Sequence, residues 1–393
     1  MRRPLPTPLQ PLRDFLRTES ASGVLLVGAS AVAVLWANLA TASYDAVWSL
    51  PLAIGIGDRT LELDVRHWIN DAAMALFFFV VGLEIKRELI DGELREPRHA
   101  ALPVLAAAGG VIAPALIYLA FNAATPAAGG WGIPMATDIA FAVGVLTLVG
   151  RDAPVGLKVF LLSVAIVDDI VAIVLIAVFY SQGIDVTWLA IAAVSLAAFW
   201  LGWRLHAPLW RPGVLLLIAV GTWLAVHGSG VHATIAGVAL GFLVPAAPGK
   251  QDSPAERLER GLHPWTSFLI VPLFALANAG VKLEAQALDD VLTDRVALGV
   301  FFGLVVGKFV GVAGTVYAVT RLRIATLPNE VTWGQMLGAA ALAGIGFTVS
   351  LFITQLAFDD PSLTAPAKIA IFAASGAASI AGFVLLRSSS APR

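Results

Sequence analysis

Leu161-Leu-Ser-Val-Ala-Ile-Val-Asp168-Asp169-Ile-Val-Ala-Ile-Val-Leu-Ile-Ala-Val-Phe-Tyr180 carries two adjacent aspartates and no other charge. Read as a helix starting near Lys158, it puts the pair ~15 Å along the axis. That is about half of a ~30 Å hydrocarbon core. One carboxylate at such depth costs at least ~2.5 kcal/mol. Two of them ~5 Å apart repel by roughly 3 kcal/mol at an effective dielectric of ~20. A span that keeps the pair is expected to bind a cation there, a proton there, or each in turn.

The rest of the chain agrees with a membrane setting. Of 393 residues, 58% are hydrophobic and 13% charged, and mean hydropathy is +0.84. So few charges cannot cover the surface of a soluble protein of this size. The apolar residues come in long runs rather than alternating, which excludes a transmembrane β-barrel. A net charge of -2 gives no support for nucleic-acid binding, and the absence of cysteine excludes disulfides and thiol chemistry.

The expected fold is therefore an all-α polytopic membrane protein with twelve transmembrane helices. The candidate spans run roughly 20–40, 67–84, 100–122, 135–149, 158–180, 187–206, 212–227, 231–244, 263–279, 296–319, 333–358 and 365–386. Between the first two, Leu52, Ile54 and Ile56 alternate up to Gly57-Asp58, and Leu61, Leu63 and Val65 alternate after it. That pattern predicts a small β-hairpin at 50–66, outside the bilayer. Nineteen Lys and Arg fall on one side of these spans. Five fall on the other: Arg59, Arg66, Lys282, Arg295 and Lys368. The rich side reads as cytoplasmic, with both termini inside. Arg2-Arg3 and Ala40-Thr41-Ala42 resemble a cleavable signal peptide, but the polar lead before Gly23 is long and the first span reads as retained.

Few other charges lie deep. Asp138 occurs in Trp131-Gly-Ile-Pro134-Met-Ala-Thr137-Asp138-Ile-Ala-Phe141. Gly132 and Pro134 predict extended chain that becomes a short helix, with Asp138 at its N-terminus. Lys308 lies among Gly303, Gly307 and Gly311, at least ten residues from Arg295 or Arg321. It is too deep to snorkel easily, and its glycines admit another backbone. A second break is expected at Ala343-Gly344-Ile345-Gly346-Phe347-Thr348-Val349. Interrupted spans in two halves of opposite topology point to a transporter binding site. Glu84, Lys86, Arg87 and Glu88 end the second span and read as a solvated helix end. With Glu256, Arg257, Glu259, Arg260 and His263 they would form a charged funnel that attracts cations. His232 reads as a packed or capping histidine and Asp71 as interfacial.

Taken together, these motifs resemble the NhaA family of sodium/proton antiporters. The similarity runs through Gly82-Leu-Glu84-Ile-Lys-Arg-Glu88-Leu, Ala136-Thr137-Asp138-Ile-Ala-Phe, Ala165-Ile-Val-Asp168-Asp169, Gly230-Val-His232-Ala-Thr, Leu262-His263-Pro-Trp, Asn278-Ala-Gly, Gly307-Lys308 and Gly344-Ile-Gly346-Phe-Thr. It spans almost the whole chain in one order. Arg260 stands where some relatives carry histidine, and Phe309 where proline is common. The resemblance implies a single transmembrane antiporter domain, with inverted-repeat halves near 98–180 and 296–387 and two broken, crossing helices. It implies that Asp168 and Asp169 carry the exchange with Thr137 near the cation, and that Asp138 and Lys308 balance half-helix charges. Glu84, Glu88, His232 and Glu259 match positions tied to pH response. The expected cargo is sodium or lithium against protons, with no cofactor and no enzymatic activity. The expected setting is the bacterial inner membrane, with membrane lipid around the chain and a homodimer through the 50–66 hairpin.

Two other functions compete with this reading. An intramembrane aspartyl protease would pair Asp138 with Asp168 or Asp169, but none of these aspartates lies in a Gly-x-Gly-Asp motif and Lys308 would spoil a shared proton. A cation channel would build selectivity from symmetric rings or carbonyl filters, and no such repeat is visible.

Overall fold

The computed structural model describes residues 10–56, 59–149, 153–181, 183–205, 211–247, 253–283 and 291–389. The turn at Gly57-Asp58 and the charges Arg2, Arg3, Arg151, Lys250 and Arg393 lie outside the described residues.

The chain is mostly helical, and the expected hairpin is formed. Helix α1 (Gln10–Leu39) and the short α2 (Thr41–Trp48) lead into β1 (Pro51–Ile56) and β2 (Arg59–Asp64). The strands pair antiparallel from Pro51↔Asp64 to Ile56↔Arg59, which sets Leu52 opposite Leu63 and Ile54 opposite Leu61. Asp64 then ends the sheet and starts the next helix, because its carboxylate accepts from the His67 amide at 2.7 Å.

The remaining helices are α3 (Val65–Asp91), α4 (Pro97–Asn122), α5 (Ile139–Val149), α6 (Val155–Phe179), α7 (Val186–Arg204), α8 (Arg211–Gly228), α9 (Thr234–Leu243), α10 (254–278), α11 (Arg295–Arg321), α12 (Trp333–Leu342), α13 (Phe347–Ala357) and α14 (Pro361–Ser389). Side-chain caps mark several starts. Asp185 accepts from the Thr187 amide and Asp294 from the Ala297 amide, both at 2.8 Å. Thr332 and Gln335 form a reciprocal capping box. At the other end of α9, the Lys86 ammonium donates to the carbonyls of Phe242 and Val244.

Among the described residues, eight helices are long and apolar enough to cross a bilayer, or nine if the bent pair Pro126–Met135 and Ile139–Leu148 is one span. The expected spans at 212–227 and 231–244 hold shorter apolar helices. At ten residues, α9 is about 15 Å long and cannot cross alone. The protein is thus a multi-pass membrane protein.

The spans differ in how far the protein shields them. Over an apolar window of 18 residues, 94% of the residues are buried in the Trp333–Ala357 stretch and 11% in α7. Polar atoms at membrane depth are tolerated where protein, not lipid, surrounds them. The broken stretch therefore lies where the fold can accommodate it.

The glycines of α11 do what their spacing suggests. A methyl at Gly307 would lie 2.7 Å from the Pro114 Cα of α4, and one at Gly303 would lie 2.7 Å from Pro134. Pro114 lacks an amide hydrogen and breaks the ladder of α4, so the close approach meets a backbone already short of one hydrogen bond. We expect Gly307→Ala to force these helices apart and cost about 1–3 kcal/mol. Thermal unfolding in detergent checks this: an unchanged midpoint would mean the contact is not tight.

Candidate functional site

At the centre, two helical stretches come undone against each other. The first does so differently from the expectation. The stretch Pro126–Met135 is a 3₁₀ helix, and only Ala136 to Asp138 is non-helical. Proline at 134 fits a tight helix, so Pro134 lies inside the 3₁₀ run instead of preventing it. The second break falls where expected, at 343–346 between α12 and α13.

The two breaks supply each other's missing partners. The Asp138 amide donates to the Ile345 carbonyl at 2.7 Å. The Ser350 hydroxyl donates to the Ile133 carbonyl at 2.7 Å. The Thr137 hydroxyl lies 2.8 Å from the Ala343 carbonyl and 2.6 Å from Asp168 Oδ2.

Asp138 sits at two helix starts at once. Its Oδ1 accepts from the Phe141 amide of α5 at 3.0 Å. Its Oδ2 accepts from the Thr348 amide at 3.0 Å and the Thr348 hydroxyl at 2.5 Å, in the first turn of α13. One buried negative charge therefore faces two positive helix ends. The N-cap expected of Asp138 is present, and Thr348, which sequence reasoning quoted without a role, completes it.

The two aspartates of α6 have separate surroundings. Neighbouring residues on a helix point about 100° apart, so one cannot share the other's partners. Asp168 Oδ2 accepts from the Lys308 ammonium and from Thr137, while its Oδ1 is buried without a partner. Both side chains of the Lys308–Asp168 pair are fully buried. Asp169 is 6% exposed, and no hydrogen-bond donor among the described residues meets it. Instead it lines a narrow cleft of about 60 Å³ with Glu19, Glu84, Thr137, Asp138, His263 and Thr348. That volume holds a few waters or an ion with part of its hydration.

The residues expected to respond to pH fall into two groups. Glu84 is buried, not at a solvated helix end, because α10 packs over that end of α3. Beside it the Arg87 guanidinium binds Glu259 and lies 3.6 Å from Glu88. His232 stands elsewhere, with Nδ1 2.9 Å from the Thr234 hydroxyl and Nε2 3.8 Å from Asp71. Asp71 is more than interfacial, since His227 also lies 3.5 Å from it.

Sequence reasoning missed Glu19. In Thr18-Glu19-Ser20-Ala21-Ser22 it reads as part of a wet lead before the first span, yet it is buried and lies 2.9 Å from His263. Its only sequence signal is a carboxylate just before a strongly apolar run.

The sequence pattern of the family described as Na+/H+ antiporter 1 matches residues 13–386. The chain belongs to that family. It is 43% identical to the Na(+)/H(+) antiporter NhaA of Oleidesulfovibrio alaskensis, covering 98% of this chain and 95% of that protein. It is 44% identical to the Na(+)/H(+) antiporter NhaA 3 of Frankia alni, over 98% and 89%. It is 45% identical to the Na(+)/H(+) antiporter NhaA of Yersinia pseudotuberculosis, over 96% of each. Within this Na+/H+ antiporter family member, the deep charges group as one ion pair, one doubly capping carboxylate and one carboxylate on a cleft.

Removing one member of a buried pair leaves the other charge unpaired, at about 3–5 kcal/mol. Lys308→Ala should therefore lower the thermal midpoint sharply, Lys308→Arg less so, and adding Asp168→Asn to the alanine variant should recover much of the loss. If detergent-solubilised Lys308→Ala were as stable as the wild type, the pair would not be formed.

Proposed function

We infer that the chain exports sodium, or lithium, in exchange for protons by alternating access across the bacterial inner membrane. Asp169 is the observation that carries this reading. Asp168 has a cation in Lys308 and Asp138 has two helix ends, whereas Asp169 has neither and opens onto the cleft. A buried carboxylate without a partner does not stay charged and empty. It takes a proton or a cation, and the two exclude each other by charge. Competition between sodium and proton then follows from one side chain, with Thr137 and Asp168 beside it as further oxygen ligands.

Asp168 supplies the second exchange. A sodium ion drawn in by Asp169 competes with Lys308 for Asp168, and the displaced ammonium can release its proton. Either carrier gives two protons for one sodium, hence an electrogenic cycle. The breaks at 136–138 and 343–346 are the crossing of two inverted-repeat halves, near 98–180 and 296–387, that rock around the site. The remaining spans complete twelve, with both termini cytoplasmic. The exposed apolar side chains Leu52 and Ile54 support a homodimer through the hairpin, and membrane lipid surrounds the bundle. No cofactor and no catalysis are invoked.

The test uses proteoliposomes with a sodium gradient and a clamped potential. Each net charge couples by roughly 2.3 kcal/mol per 100 mV, so an inside-negative potential should favour sodium exit with proton influx. The sodium gradient that nulls proton flow should move with the potential. Asp169→Asn, similar in volume, should fold and show no sodium-driven proton flow. A potential-independent balance point would make exchange electroneutral, and near-normal exchange by the asparagine variant would end the assignment of Asp169.

Glu84, Glu88, His232 and Glu259 are the pH-responsive groups in this reading. For Glu259, burial pushes the carboxyl above its ordinary value, while the Arg87 guanidinium pulls it back. A carboxyl raised in the folded state binds its proton more tightly there than in the unfolded chain. Its contribution favours the fold at low pH and is lost as pH rises through the raised value. Glu259→Gln should flatten the decline of the thermal midpoint just above the ordinary carboxylate range. An unaltered slope there would place the response elsewhere.

A further inference from the structure

Two basic side chains, Arg66 and Lys368, come together at the end of the bundle that carries the hairpin. Arg66 lies in the first turn of α3, directly after β2. Lys368 lies seven residues into α14, about 10 Å along its axis. Both are half-buried. The charged group that acts on Lys368 is the Arg66 guanidinium, a second cation. Among the described residues neither forms an ion pair, and Arg66 Nε is buried with no hydrogen-bond partner.

The other groups facing Arg66 are Asp64 and Tyr44. Asp64 has its Oδ1 engaged by the amide and the ring Nδ1 of His67, both at 2.7 Å. The Tyr44 hydroxyl lies 2.9 Å from the carbonyls of Leu276 and Ala277 and accepts from the Gly280 amide at 3.1 Å. A further donor without an acceptor is close by. Trp48 ends α2, which packs against the start of α3. Its indole Nε1 is buried with no partner, and its ring centroid is 6.0 Å from that of Tyr44.

Like charges in a half-buried setting repel, and a buried donor without an acceptor keeps its desolvation cost. A single anion relieves both. A guanidinium fork beside an ammonium is the combination that takes phosphate oxygens. The place also suits that anion, because the ends of membrane spans lie at the level of the lipid headgroups. Lys368 reaches that level through its flexible stem.

We propose that Arg66 and Lys368, with the Trp48 indole beside them, bind a phosphate group, whether the phosphodiester of an anionic lipid headgroup or free phosphate. Bound there, the anion ties the start of α3 to the start of α14, which follows the end of α13 after residues 358–360. The site is separate from the exchange aspartates and does not depend on their assignment.

The test follows the thermal midpoint of delipidated protein in a neutral detergent. One arm adds inorganic phosphate, with chloride at equal ionic strength as its control. The other adds phosphatidylglycerol, with zwitterionic phosphatidylcholine as its control. The wild-type midpoint should rise in at least one arm, and the arm that responds identifies the source. Lys368→Gln and Arg66→Gln should each need roughly five-fold more anion for half the rise, the contribution of one basic side chain near a charged lipid surface. Should the glutamine variants not fold, Lys368→Glu supplies the counter-charge from within. It should raise the midpoint without added anion and abolish the response. A wild-type midpoint indifferent to both phosphate and phosphatidylglycerol, an equal rise with the controls, or an undiminished response in the glutamine or glutamate variants would overturn the site.

Discussion

The ion pair between Lys308 and Asp168 sets the terms for everything around it. It is fully buried, so its members lose hydration and are held by their mutual attraction and by the Thr137 hydroxyl beside Asp168. Pairing gives the charge of Asp168 a fixed partner on α11. Asp169, one residue on, is thereby turned to the cleft. Two aspartates that look equivalent in the chain become a held carboxylate and an available one.

The second constraint is backbone satisfaction at membrane depth. Breaking two helices inside a bilayer exposes amides and carbonyls that no solvent can reach. Here each break answers the other, through Asp138 to Ile345 and Ser350 to Ile133, and one carboxylate serves the starts of both α5 and α13. The arrangement leaves open, non-helical chain beside Asp168 and Asp169 without orphaning the backbone. It also ties the site to both α5 and α13, so a movement of α13 against α5 would be felt at Asp138 and Thr137 directly.

Much of this was legible from sequence because charge in an apolar run is expensive and therefore conspicuous. Asp168, Asp169, Asp138 and Lys308 stood out for that reason, as did the glycines of α11 and the break at 343–346. The hairpin was legible from its period of two. What was hidden depends on packing that no local pattern carries. Pro134 predicted extended chain, but proline also fits a 3₁₀ turn. Glu84 and Glu19 lie beside polar residues and read as wet helix ends; both are buried because α10 lies against them. The separate roles of Asp168 and Asp169 also needed the fold, since only the position of Lys308 decides which is held.

The central claim is that Asp169 carries either a proton or a sodium ion. It is tested most directly by counting protons released when sodium is added to the purified protein in detergent at fixed pH. The account predicts release on binding in wild type and none from Asp169→Asn. Sodium binding by the wild type with no proton release, or undiminished release from the asparagine variant, would contradict it.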